Sequence, residues 1–195
     1  MKTATLIPPC GGELTNLLAA GEAVERLKDH ASRLPSLQLA PRSVCDLELL
    51  ATGAFSPLDR FMGRADYARV LDEMRLSCGQ VFPIPITLPV GPGAAVRAGQ
   101  EIALRDEGNR LLALMSVEEA YEWDMAEEAR KVLGTEDPRH PLVAEMYRWG
   151  GLNISGPLRV LELPRHYDFR ELHDGNRRLS RTACWRCRVV MPCRG

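Results

Sequence analysis

The residues best suited to chemistry sit near the two ends of the chain. Cys184-Trp185-Arg186-Cys187 is a C-x-x-C pair, and Cys193 and His173 are the further candidate ligands for a zinc ion. A structural zinc site needs two well-spaced ligand pairs and this segment supplies one, so zinc is not the expectation. Pro9-Cys10-Gly11-Gly12 could cradle an anion, because paired glycines let backbone amides approach a phosphate, but two glycines equally make a plain turn before a helix. The histidines, His30, His140, His166 and His173, form no H-x-x-H pair of the kind that steadies a leaving pyrophosphate. A G-x-x-x-x-G-K-[ST] loop, a dinucleotide G-x-G-x-x-G, an H-E-x-x-H and a G-x-S-x-G elbow are also absent. No residue is assigned as catalytic or cofactor-binding.

Charge narrows the partners. Net charge is −1 over 195 residues, yet Arg177, Arg178, Arg181, Arg186, Arg188 and Arg194 follow Asp174 with no acid among them, leaving a net −7 for the rest. An acidic body without a block of lysine and arginine is a poor match for a phosphate backbone, so nucleic acid is not the expected partner. The arginine-rich tail with Trp185 could stack on RNA, but a run rich in Arg, Cys and Trp is also what a GC-rich gene yields when read out of frame. Cys10, Cys45 and Cys78 are scattered, which suggests reduced, packed thiols and not a disulfide framework. No apolar run approaches the length of a membrane span, and the opening residues break at Pro8-Pro9 before a signal-peptide core forms. A cytoplasmic protein with no membrane partner is expected.

The elements that would position these residues begin with helices. Val24, Leu27, Ala31 and Leu34 recur at helical spacing between Gly21 and Leu34, with Glu22 and Arg26 on the opposite face. Ser43 and Asp46 have capping-box spacing ahead of a Val44, Leu47, Leu50 stripe that stops at Gly53. Tyr67, Val70, Leu71 and Met74 predict a third helix, with Asp66 placed to accept first-turn amides. Between the last two helices, Gly53 to Met62 mixes Phe55, Phe61 and Met62 with a Ser-Pro-Leu-Asp turn. Tucking both aromatics into the core is favoured over an exposed docking loop.

Period two then takes over. Ile84, Ile86, Leu88 and Val90 alternate with Pro85, Thr87 and Pro89, which fits an edge strand because proline removes donors from one side. Residues 101–105 and 110–115 flank Asp106-Glu107-Gly108-Asn109 and predict a β-hairpin. Asp124, with Glu127 three residues on, and Pro141 open two further helices, the second ending near Gly150-Gly151. A strand over Leu158 to Leu163 closes the body. Helices followed by strands, short helices and a strand give an α+β domain with a small mixed, partly open barrel.

Taken together, these segments resemble one family. Pro9-Cys10-Gly11-Gly12, the run Asp46 to Leu58, Phe61-Met62-Gly63, Met74-Arg75-Leu76, Phe82 to Ile86, Gly134 to Pro141 and His166-Tyr167-Asp168-Phe169 occur in the order found in the ATP sulfurylases (sulfate adenylyltransferases). The resemblance implies that residues 1–172 are the family's N-terminal PUA-like domain, with 173–195 an irregular or out-of-frame tail. It also implies that the parent reaction is attack of sulfate on the α-phosphorus of ATP, giving adenosine 5′-phosphosulfate and pyrophosphate. The resemblance implies MgATP for the full-length family, whose substrate-binding motifs, a Q-x-R-N segment and a following H-x-x-H in the second domain, do not occur here. The expectation is therefore a truncated form, inactive alone and without its own cofactor, whose partners are a catalytic domain or a family oligomer. The alternative is a free-standing RNA-binding or protein-interaction module. Three departures stand out: Cys10 for a usual His, Cys78 where an acid is common, and Arg60 where a glycine usually follows the Ser-Pro-Leu turn. Arg60 would be strained if its φ were positive.

Overall fold

The computed structural model describes residues 12–91, 93–94 and 96–166. Five α-helices and seven strands occupy this span: α1 Glu22–Ala31, β1 Ser36–Gln38, α2 Pro41–Ala51, α3 Arg64–Glu73, β2 Leu88–Val90, β3 Glu101–Arg105, β4 Leu111–Ser116, β5 Glu119–Glu122, α4 Met125–Glu128, α5 Pro141–Met146, β6 Leu152–Ser155 and β7 Leu158–Val160. A π-helical stretch, Ala129–Leu133, continues α4. The strands form a four-stranded sheet in the order β1-β3-β4-β7 and a three-stranded sheet in the order β2-β6-β5. β1 runs parallel to β3 and every other pairing is antiparallel, so the architecture is α+β with a mixed sheet and an open, unclosed barrel.

The main core lies between these layers. Leu47 and Leu50 from α2, Phe61 and Met62 from the following loop, Ile102 and Leu104 from β3, and Met115 from β4 are at most 1% exposed, and Ile154 and Val160 bring both sheets onto the same cluster. The hairpin turns through Asn109, one of two non-glycine residues with positive φ among those described, as asparagine tolerates. Leu17 and Ala19 pair with the backbone of Val160, and Leu17 also reaches Ala51, so the segment after the first turn is stitched across β7 and α2.

Several expectations need correction. α2 starts at Pro41 with Ala40 ahead of it, so Ser43 and Asp46 lie inside the helix and make no capping box; proline at the first position needs no donor, and Asp46 pairs instead with Arg42 at 3.6 Å. Asp66 does not accept the first-turn amides of α3. Its carboxylate takes the Ser77 amide at 2.7 Å and the Ser77 hydroxyl at 2.6 Å, tying the loop beyond α3 back to its start. The ion pair on α1 joins Lys28 to Glu25, not Glu22 to Arg26. The alternating stretch contributes strand only at Leu88–Val90, an edge as expected, with Ile84 left 38% exposed. α5 ends at Met146, short of Gly150, and the last strand stops at Val160. Arg60 is not among the positive-φ residues, so its side chain costs no backbone strain there; it pairs with Asp59 and Glu118. Cys45 and Cys78 are unpaired as expected, but exposed and not packed.

Candidate functional site

The loop between α2 and α3 is a buried strap. Phe55 and Phe61 both face the core, Phe55 edge-on to Phe82 with ring centres 6.0 Å apart. Gly53, at φ 77, turns the chain at the end of α2, and a Cβ there would meet the Thr15 carbonyl at 2.4 Å. The strap is then held by the second sheet. The Ser155 hydroxyl donates to the Phe61 carbonyl at 2.7 Å, the Tyr121 hydroxyl donates to the Met62 carbonyl at 2.9 Å, and the Arg64 amide donates to Glu119 at 2.9 Å. Exposed docking by this segment is therefore not its role.

The strap delivers α3 to one wall of a cleft of about 390 Å³, whose opposite wall is the end of β5 and the start of α4. Tyr67 and Leu71 face Tyr121 and Trp123 across it. The polar lining is four carboxylates, Asp72, Glu122, Asp124 and Glu127, against two cations, Arg64 and Lys131. Lys131 spans the mouth, 2.5 Å from Asp72 on α3 and 2.7 Å from Glu127. The Asp124 side chain caps α4 by accepting the amides of Ala126 and Glu127. MgATP does not fit this lining: a triphosphate would meet a carboxylate excess, and one of the two cations is already engaged.

Behind the cleft lies a buried polar cluster. Glu128, in a residue 4% exposed, accepts the Tyr67 hydroxyl at 2.9 Å. Arg42 of α2 stands 4.3 Å over the Trp149 ring, 3.6 Å from Asp46. Asp46 is 8% exposed, and its Oδ2 has no hydrogen-bond partner. Burial pushes its carboxyl up to about 6 against the opposing pull of Arg42. Burial also raises Glu128, opposed by the Tyr67 hydrogen bond and by Arg42. Tyr67 and Tyr121 are both pushed up, first by burial and then by nearby carboxylates. Further along α2, Glu48 bonds His166 at 2.8 Å, fastening the end of the described chain to that helix.

The residues singled out by sequence fall mostly elsewhere. Cys184, Cys187, Cys193 and His173 lie outside the described residues, as do Pro9, Cys10 and Gly11. Among the described residues no group of three or more His, Cys, Asp or Glu side chains could hold a metal ion. His140 precedes α5 and its Nδ1 is buried without a hydrogen-bond partner. The Arg42, Asp46, Glu128 and Trp149 cluster was not expected. Its one local signal is the four-residue spacing of Arg42 and Asp46 on a helix.

Comparison with known proteins places this geometry. A sulfate adenylyltransferase of Symbiobacterium thermophilum is 43% identical over 163 residues, covering 83% of this chain and 42% of that protein. One from Schizosaccharomyces pombe is 43% identical over 152 residues, covering 75% and 31%. A probable bifunctional SAT/APS kinase of Sorangium cellulosum is 41% identical over 161 residues, covering 82% and 28%. A solved structure described as a hexameric APS kinase from Thiobacillus denitrificans superposes with a TM-score of 0.67 at 34% identity, covering 86% of this chain and 29% of that one. The chain thus spans about two fifths or less of the length of these relatives. The family model described as a PUA-like domain matches residues 7–163, and the chain belongs to that family, in the form carried by sulfate adenylyltransferases.

Proposed function

We propose that this chain acts as the N-terminal, non-catalytic portion of a sulfate adenylyltransferase, packing against the portion that transfers the adenylyl group or assembling with further copies. The observation that supports this reading most is the shape of the matches: more than four fifths of this chain aligns with sulfate adenylyltransferases, but with only 41–42% of two of them. The in-line displacement needs donors and cations arranged around the phosphates. The 195 residues contain neither Q-x-R-N nor H-x-x-H, and the cleft between α3 and α4 has a carboxylate excess. MgATP would be held by the partner portion. The cytoplasm, where ATP is supplied, is the setting we assign; no helix among the described residues is long and apolar enough to cross a membrane. RNA binding gains no support from the acidic cleft.

The test is direct. The purified chain is incubated with ATP, Mg²⁺ and sulfate, and pyrophosphate is measured. The expected result is no sulfate-dependent release above a heat-treated control. Release that depends on sulfate and scales with the concentration of the chain would overturn the proposal.

A further inference from the structure

We infer that Arg42, Asp46 and Glu128 form a proton-responsive clasp that fastens the helical segment 123–151 to the body and tightens when the cluster takes up a proton. That segment interrupts a β-hairpin. β5 ends at Glu122 and β6 resumes at Leu152, its paired partner, so everything between is an insertion closed at its base by the Trp123 indole donating to the Gly150 carbonyl at 2.7 Å. The insertion has a separate small core of Ala129, Val143 and Met146. Trp123 packs it against the main core, and polar contacts add further ties to the body. The Arg42 guanidinium touches it at its far end through Trp149 and faces Glu128 near its start, while Asp46 sits beside it on α2.

Two buried carboxyl groups thus share one guanidinium. With both ionised, the cluster carries a surplus negative charge away from water, a costly state when the ion-pair geometry is imperfect. Here it is imperfect, since Arg42 and Asp46 stand 3.6 Å apart and Asp46 Oδ2 accepts no hydrogen bond. The other groups facing the cluster do not supply the missing positive charge. Cys45 and Glu48 lie on the helix that carries Asp46, with His166 engaged by Glu48 at 2.8 Å; Tyr67 of α3 and Tyr121 of β5 face Glu128, and Glu127 faces Tyr67. Lys131 is drawn to Asp72 and Glu127 at the cleft mouth. Within the insertion His140, at the head of α5, and Asp137, which pairs with Arg139, are also buried in part.

The sign follows from the direction of the shifts. A carboxyl raised in the folded state binds its proton more tightly there than when exposed, so the insertion is held best below the exposed value and is loosened as pH rises through the raised one. Where undocking returns Asp46 to water, its move from 3.8 to about 6 makes docking of the insertion about four-fold more favourable at pH 5.5 than at pH 8. Glu128, raised in the same direction, adds to this.

Hydrogen exchange on the full chain, corrected for intrinsic rates, reads this as the protection of residues 123–151 relative to β3 and β4. The wild type is expected to gain at least four-fold protection in the insertion on going from pH 8 to pH 5.5. Asp46→Asn should abolish most of that change and be at least as protected as wild type at pH 8. Glu128→Gln, which keeps the Tyr67 contact, should reduce the change, and His140→Gln should leave it intact. Equal wild-type protection at the two pH values, a full pH effect surviving in Asp46→Asn, or its loss in His140→Gln would each overturn the clasp. The wild-type profile decides even if a variant fails to fold.

Discussion

The body and the insertion are built on different physics. The body buries large apolar side chains from α2, the strap, β3, β4 and β7 in one continuous cluster, and its polar strap contacts are made in places water does not reach. The insertion has three fully buried apolar residues, a single-turn α4, a π-helical stretch and a six-residue α5, and it is attached through a cation over an indole, two carboxyls and an exposed lysine. Elements with small cores and polar attachments open locally at lower free energy than the global fold. The difference teaches that this chain joins a platform held by a large apolar core to an appendage with a small core and polar attachments, and that the cleft lies where the two meet.

Substitutions can break that contrast in a ranked order. Leu104→Ala removes a fully buried side chain at the centre of the platform and should cost about 2–5 kcal/mol of global stability, seen in denaturant unfolding followed by far-ultraviolet circular dichroism. A loss under 1 kcal/mol would mean that the platform is less tightly packed than its burial indicates. Gly150→Ala acts at the root of the insertion. A Cβ there would sit 1.3 Å from the Val90 carbonyl oxygen, so the chain must shift, at about 1–3 kcal/mol, and the loss of hydrogen-exchange protection should concentrate in 123–151 and β2. Uniform loss across β3 and β4 would show the two regions to be one cooperative unit.

Smaller effects sharpen the contrast further. Asp124→Ala removes the two amide contacts that start α4 and should cost about 1 kcal/mol, again confined to the insertion. Lys131→Ala breaks an exposed pair at the cleft mouth, so its effect should be at most about 1 kcal/mol and should vanish in 0.5–1 M salt, roughly where screening is complete. An effect of Lys131→Ala equal to that of Gly150→Ala would place the main fastening at the mouth and not at the root.

Sequence reading was uneven in the same way. α1, α2 and α3 are legible because apolar residues recur at helical spacing, and the β3-β4 hairpin because two apolar runs flank the turn through Asn109. β5 and β6 are not. Glu119-Ala120-Tyr121-Glu122 has no apolar alternation, and β6 buries two polar residues, Asn153 and Ser155, the latter donating to the Phe61 carbonyl of the strap. β1 is three residues long and is created by pairing with β3, a partner far along the chain. Asp46 looked like a cap because local spacing cannot reveal that Pro41 already starts the helix. The cluster it joins draws Glu128 and Trp149 from distant segments, so only the fold brings them together. The family resemblance was carried by short ordered motifs, and the match over 7–163 bears it out.

The most direct test of the account transplants the domain. In the Symbiobacterium thermophilum sulfate adenylyltransferase, the aligned region is replaced by residues 7–163 of this chain, and sulfate-dependent pyrophosphate release is measured on a chimaera shown to be folded by circular dichroism. Retained release is the predicted result, since the platform would serve the relative as its own does. A folded chimaera without release, beside an active parent, would contradict it.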